Sequence, residues 1–190
     1  MTAHEVFNVK IFDLPDAFFQ TGAAALGEVR PADSLVENDS VDFCKKVIDK
    51  ANDRKIKLLL PSDHLAVQDI EKPESAKITE NQNIGAGWKG VDIGPKTVSG
   101  YAAVIATAKT IFWNGPMGIF EIDAFAQGTI GIAKAVAASN AISIVGGGDS
   151  IAAVKKAGVR DKISHISTGG GASLEYIAYE TLPGIAALEK

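Results

Sequence analysis

Cysteine is almost missing from this sequence: its 190 residues include one, Cys44. A single thiol excludes an internal disulfide and a cysteine-rich zinc centre, and it fits a reducing compartment. Histidine is nearly as scarce, and His4, His64 and His165 are too scattered to suggest a metal cluster. Long apolar runs are lacking as well. Lys109 and Lys134 interrupt the two most apolar regions, so no stretch reaches the roughly 18 residues of a membrane span. The opening MTAHEVFNVKIF has no basic start followed by an apolar core, as a secretory signal needs, and the chain reads as cytoplasmic. Neither sign of charge dominates: 19 Lys and Arg face 23 Asp and Glu, a formal net charge of -4. The chain therefore lacks the basic face that displaces counterions from nucleic acid, while a local positive site for a small anion stays open. No Ser-His-Asp arrangement, no His-Glu-x-x-His and no Gly-x-x-x-x-Gly-Lys-Ser/Thr loop occurs, and nothing points to covalent catalysis.

What is present is a globular composition, 46% hydrophobic, at the length of one ordinary or large domain. Val6 to Phe12 alternates apolar and polar residues and predicts a strand. Val41 to Arg54 sets Val41, Cys44, Val47, Ile48 and Ala51 on one helical face, after the cap-like Asn38-Asp39-Ser40. Short apolar runs predict buried strands at Ile56 to Leu60, which stops at Pro61, at Thr110 to Trp113 and at Ala141 to Val145. Another strand is predicted at Lys162 to Ser167. Helices are predicted at Asp123 to Ala138, at Ser150 to Ala157 with Gly158 closing it, and at Ala172 to Tyr179. Asp69 to Asn83 is polar, contains Pro73, and reads as a surface excursion with an added hairpin. The alternation of strand, loop and helix predicts an α/β fold, a three-layer α/β/α sandwich with a Rossmann-like, mainly parallel sheet.

Three glycine-rich junctions follow three of these strands: WNGPMGIFE (Trp113 to Glu121), VGGGDS (Val145 to Ser150) and STGGGAS (Ser167 to Ser173). In an open parallel sheet such junctions share the carboxyl edge, where ligands bind. Glycine lets a ligand approach the backbone, and the N–H groups that start the next helix suit a phosphate. One such loop alone is more often a tight turn; three on one edge favour a polyphosphate or two phosphate-bearing ligands. Asp149 is either a carboxylate for Mg²⁺ against terminal phosphates or a plain helix N-cap. Ser150 either offers its hydroxyl or N–H to a phosphate or is an ordinary first-turn serine. Glu121 either accepts from a ribose or is a solvated charge, and Asn114 either donates to a phosphate or only serves the Asn-Gly turn. Trp113 and His165 read as core residues, Lys96 as a solvated lysine, and Asp92 as fixing a local turn.

The motifs GVDIGPKT, WNGPMGIFE, GGGDS, HISTGGGAS and LPGIAAL, in this order and spacing and with LLLPSD upstream, resemble phosphoglycerate kinase. The likeness is to its C-terminal, nucleotide-binding half and covers residues 34–190, leaving 1–33 as a divergent segment. It implies a two-domain enzyme with a hinge, exchanging a phosphoryl group between 1,3-bisphosphoglycerate and ADP to give 3-phosphoglycerate and Mg-ATP. It further implies that Asn114 contacts the nucleotide phosphates, that Gly118 and Ile119 line the adenosine side, and that Glu121 meets the ribose. Gly147, Gly148 and Ser150 would approach the phosphates, Asp149 would hold Mg²⁺, and Gly169, Gly170 and Gly171 would start the helix aimed at the transferring group. Phosphoryl transfer needs positioning and charge stabilisation more than acid–base work, which suits such a site.

The family's basic patch for phosphoglycerate, its transfer-stabilising arginine and its Gly-Gly-Ala-Lys loop have no counterpart in these 190 residues. The resemblance thus implies a sheet truncated at its N-terminal edge, with Val6 to Phe19 in place of a family strand and Phe12-Asp13-Leu14 where glycines belong. Phosphoglycerate then becomes a partner only when an N-terminal domain is supplied, and the chain alone is expected to be inactive. The alternative is a non-catalytic nucleotide-binding or interaction fragment that self-associates through an uncovered sheet edge.

Overall fold

A computed structural model of the protein describes residues 9–11 and 41–188. In chain order these form β1 (Val9–Ile11), α1 (Val41–Asp53), β2 (His64–Val67), β3 (Lys77–Ile78), β4 (Lys89–Ile93), α2 (Pro95–Ile105), β5 (Thr110–Asn114), α3 (Gln127–Ala138), β6 (Ile142–Gly146), α4 (Gly148–Lys156), β7 (His165–Ser167), α5 (Gly170–Tyr179) and α6 (Pro183–Leu188). They belong to two compact units. Residues 9–11, 104–116 and 133–188 make up the first, and residues 41–103 and 117–132 the second.

The first unit holds a four-stranded parallel sheet in the order β1-β5-β6-β7. Its inner strands read as nearly continuous apolar runs because a parallel sheet is covered on both faces. Ile111, Trp113 and Val145 are accordingly buried outright. The expected strands at Thr110 and Ala141 are present with their ends shifted by a residue. The last strand is shorter than expected, since Arg160–Lys162 forms a 3₁₀ turn. Before β7 begins, Ser143 and Ser164 extend its pairing with β6 by reciprocal bonds from each backbone N–H to the other's hydroxyl, 3.1 and 3.0 Å long. His165 is exposed rather than a core residue, because β7 is the last strand in the sheet order.

The second unit carries a three-stranded antiparallel sheet, β3-β2-β4. The polar excursion supplies β3, as the hairpin reading anticipated. Val67, Val91 and Phe125 form its centre, with Leu65, Ala76, Ile119 and Ile122 packed around them. Each large side chain taken fully out of water contributes about 1.5–3 kcal/mol. On α1 the five residues of the expected apolar face are the ones withdrawn from solvent, and Cys44 is buried. The helix expected from Asp123 divides into a 3₁₀ turn, Asp123–Phe125, and α3.

One expected strand fails. Residues 56–60 are irregular, Ile56 is 58% exposed, and pairing starts only at His64, beyond Pro61. An apolar run becomes a strand through a ladder partner, and among the described residues none runs beside this one. No helix among the described residues is long and apolar enough to cross a membrane. The boundary expected at residues 33 and 34, and Phe12, Asp13 and Leu14, lie outside the described residues.

Candidate functional site

Register brings the three junctions of the first unit together. Asn114 pairs with Gly146 across β5 and β6, and Gly146 pairs with Ser167 across β6 and β7. The carboxyl ends of the three strands therefore stand side by side, a strand spacing of about 4.8 Å apart. Two helices start from this edge at once, α4 at Gly148 and α5 at Gly170. Their N-caps are Gly147, at φ 88°, and Gly169, and neither helix has a side-chain cap. The first-turn N–H groups of an α-helix have no intrahelical acceptor, and its amino end carries about half a positive charge. Two such ends meet here. The Gly147 N–H donates to the Ser167 carbonyl at 3.3 Å and ties one junction to the other.

Asn114 sits among the glycines. It is 4% exposed, and its Oδ1 is buried with no hydrogen-bond partner. A Cβ added to Gly170 would stand 2.6 Å from that oxygen and 2.6 Å from the Gly147 nitrogen; one added to Gly147 would stand 2.9 Å from the same oxygen. All three distances are shorter than any ordinary contact, so only glycine permits this approach. Trp113, buried as expected, donates its indole N–H to the Gly115 carbonyl at 2.6 Å. From the other side the Gly115 N–H donates to the Ser150 hydroxyl oxygen. Ser150 is buried, so its hydroxyl serves this turn, and what it leaves for a ligand is its first-turn N–H.

Asp149 is exposed in the first turn of α4. It is not the N-cap, since Gly147 holds that place, and the plain capping alternative is thereby removed. Gly148, Gly169 and Gly171 are exposed, and Gly170 is buried. Sequence reading missed the pair that steadies this last loop. The Ser167 and Ser173 hydroxyls lie 2.9 Å apart, and Ser173 Oγ donates to the Gly169 carbonyl at 2.9 Å. A serine four residues beyond a helix-starting glycine is the signal that was available.

The other three expected residues belong to the second unit. Gly118 is buried, and a Cβ there would collide with the Val91 carbonyl. Ile119 donates its N–H to that same carbonyl at 2.9 Å and packs on the apolar centre. Glu121 is exposed on the turn that follows.

Helix starts in the second unit are built differently. The Asp63 carboxylate, 0% exposed, accepts the Lys96 N–H at 3.0 Å and the Thr97 N–H at 2.7 Å at the start of α2. The Thr97 hydroxyl adds a third bond at 2.7 Å. Asp92, also buried, accepts the Gly128 N–H at 2.6 Å at the start of α3. It thus holds a segment 36 residues away as well as its own turn, where the Ile93 N–H donates to it. Lys96 is exposed, as expected, and its ammonium donates to the Glu80 carbonyl. His64 is buried, and its Nε2 has no partner. Burial pushes its pKa down from 6.5, against the opposing effects of the Asp63 charge and a backbone bond to Gln82.

The family model described as phosphoglycerate kinase matches residues 19–180. A phosphoglycerate kinase of Clostridium botulinum is 56% identical over 155 residues, which is 82% of this chain and 39% of that protein. The structure of phosphoglycerate kinase from Coxiella burnetii superposes with a TM-score of 0.82 at 41% identity, covering 90% of this chain and 44% of that one. That of Pyrococcus horikoshii gives 0.75 at 31% identity, covering 90% and 43%.

Proposed function

This chain belongs to the phosphoglycerate kinase family, and from that premise we propose that it is the nucleotide-binding part of an enzyme that moves a phosphoryl group between 1,3-bisphosphoglycerate and ADP. Family members are kinases of glycolysis. The chain spans about 39% of the length of the relatives it matches. One observation carries the proposal: two uncapped helix starts and the buried, unpartnered amide oxygen of Asn114 converge at one sheet edge. A half-turn of that amide exchanges its carbonyl for its NH₂ with no change of shape, so the side chain can meet a phosphate oxygen as a donor.

The residues fit a magnesium nucleotide. Asp149 supplies an exposed carboxylate beside the glycine amides, and Mg²⁺ prefers one or two carboxylates completed by substrate phosphates. When bound, the ion offsets charge on those phosphate oxygens. The chain's own work is to orient: the first-turn amides of α4 and α5 hold the oxygens, while Ser150 and Trp113 fix the turn that carries Asn114. The roles of Gly118 and Ile119 on the adenosine side and of Glu121 at the ribose are proposed on family membership. A cytoplasmic setting fits the single cysteine.

Calorimetric titration with Mg-ADP tests the reading. Saturable heat that weakens about tenfold in Asp149→Asn is expected, and silence at millimolar nucleotide overturns it. In a coupled assay the 190-residue chain by itself should not turn over 3-phosphoglycerate. The resemblance assigns the cations for that substrate to the part of the family this chain does not match, so water would reach the transferring group. Turnover near that of a full-length relative would refute this second expectation.

A further inference from the structure

Asn114-Gly115 is the one Asn-Gly pair in the sequence. The turn after β5 constrains both members. Asn114 brings a buried amide, and Gly115 sits at φ 93°, a backbone conformation that side chains disfavour. Asn-Gly is also the asparagine dipeptide most prone to deamidate. In a mobile pair the glycine nitrogen, unscreened by a side chain, gives up its proton to water and bonds to the asparagine Cγ. The Cγ–Nδ2 bond breaks and ammonia leaves. Water then opens the five-membered imide to aspartate or isoaspartate. We propose that Asn114 is a latent deamidation site and that the Ser150 hydroxyl holds it closed, a role separate from any contact with phosphate.

Several features of the turn oppose the reaction. The attacking atom is committed, because the Gly115 N–H donates to the Ser150 hydroxyl oxygen and both residues are buried. Cyclisation must swing that nitrogen towards Cγ and break the bond. Gly115 is held from its other end as well, where its carbonyl accepts the Trp113 indole N–H at 2.6 Å. Asn114 pairs in register with Gly146, and the extended backbone of a strand residue turns the next nitrogen away from its side chain. The electrophile is not activated: Asn114 Oδ1 is buried with no donor on it, so nothing draws electrons from Cγ. It is confined too, since a Cβ added to Gly147 or Gly170 would stand 2.9 or 2.6 Å from that oxygen. Of these restraints, the bond to Ser150 is the one on the attacking atom itself. An aspartate at this place would set a negative charge among groups proposed to hold phosphate. That consequence rests on the nucleotide reading above; the chemistry at Gly115 does not.

The full chain is aged in native buffer and in unfolding urea, and residue 114 is followed by peptide mass mapping with isoaspartate detection. The native chain should keep Asn114 while the unfolded chain converts. Ser150→Ala, shown to be folded by circular dichroism, should convert about tenfold faster than the native parent. The parent held in enough urea, below its transition, to match the variant's stability controls for global opening and should stay slow. Equal conversion in the folded variant and the native parent, or in the native and unfolded parent, overturns the inference. So does a stability-matched parent that converts as fast as the variant. If Ser150→Ala does not fold, hydrogen exchange at the Gly115 amide of the parent decides. Protection like that of the β5 amides supports a closed site, and exchange as fast as in an exposed turn overturns it. Mg-ADP titration of the converted, folded chain is a separate reading: unchanged affinity would remove Asn114 from the phosphate contacts and leave the role of Ser150 standing.

Discussion

The two units solve the same electrostatic problem in opposite ways. A helix start offers donors and a positive end, and something negative must answer them. In the second unit the answer is internal: Asp63 and Asp92 are buried carboxylates held by backbone amides of α2 and α3. In the first unit glycine stands at the N-caps of α4 and α5 and no side chain answers. Asp63 and Asp92 therefore serve the fold, while the donors at the edge of the first unit are the ones proposed to meet a ligand. The same chemistry reads as a stability device in one place and as a binding device in the other.

Substitution should separate the two. The largest effect is expected from Asp63→Ala, which removes a buried carboxylate that accepts three hydrogen bonds at the start of α2 and should lower unfolding free energy by about 3 kcal/mol or more. Urea denaturation reads this directly, and a loss no greater than that of a surface variant would erase the distinction. Gly170→Ala should act on the other side. Its new methyl would meet Asn114 and Gly147, and Mg-ADP affinity should fall by about a hundredfold, roughly 2.7 kcal/mol. Asp149→Asn should cost about tenfold in Mg-ADP affinity while leaving the urea midpoint in place; a shifted midpoint would mean that the exposed carboxylate also serves the fold.

The smallest effect belongs to His64. Burial lowers its pKa below 6.5, so at mildly acid pH the unfolded chain takes up a proton that the folded chain resists. Its stabilising effect is complete above the unfolded value and is lost as pH falls from 6.5 toward the lower folded value. The loss should reach about 1 kcal/mol per pH unit crossed. Comparing urea midpoints on either side of that window checks it, and His64→Phe should flatten the slope. A profile that stays steep in the variant would place the titration elsewhere.

The first unit was largely legible in the sequence. Apolar runs that stop at glycines declare both a buried parallel strand and the bare backbone beyond it, and the junctions at Asn114, Gly146 and Ser167 do meet in register. The second unit was legible only in part: the apolar face of α1 and the hairpin excursion could be read, the buried carboxylates could not. Asp63 and Asp92 act on amides 33 and 36 residues away, and neither periodicity nor a local motif carries information over that distance. Ile56 to Leu60 has a strand's composition, but composition says nothing about whether a neighbour will pair with it. His165 was misread for a related reason: a position within a strand does not reveal that the strand ends its sheet.

The absence of side chains at the two N-caps has a last consequence. The groups that would grip an anion there belong to the peptide backbone, which every amino acid possesses. Replacement can bury them beneath new atoms but can hardly delete them. Such a feature is therefore damaged by enlargement rather than by truncation, and an alanine scan, which mostly trims, would pass over much of it; scanning with bulkier residues would reveal it.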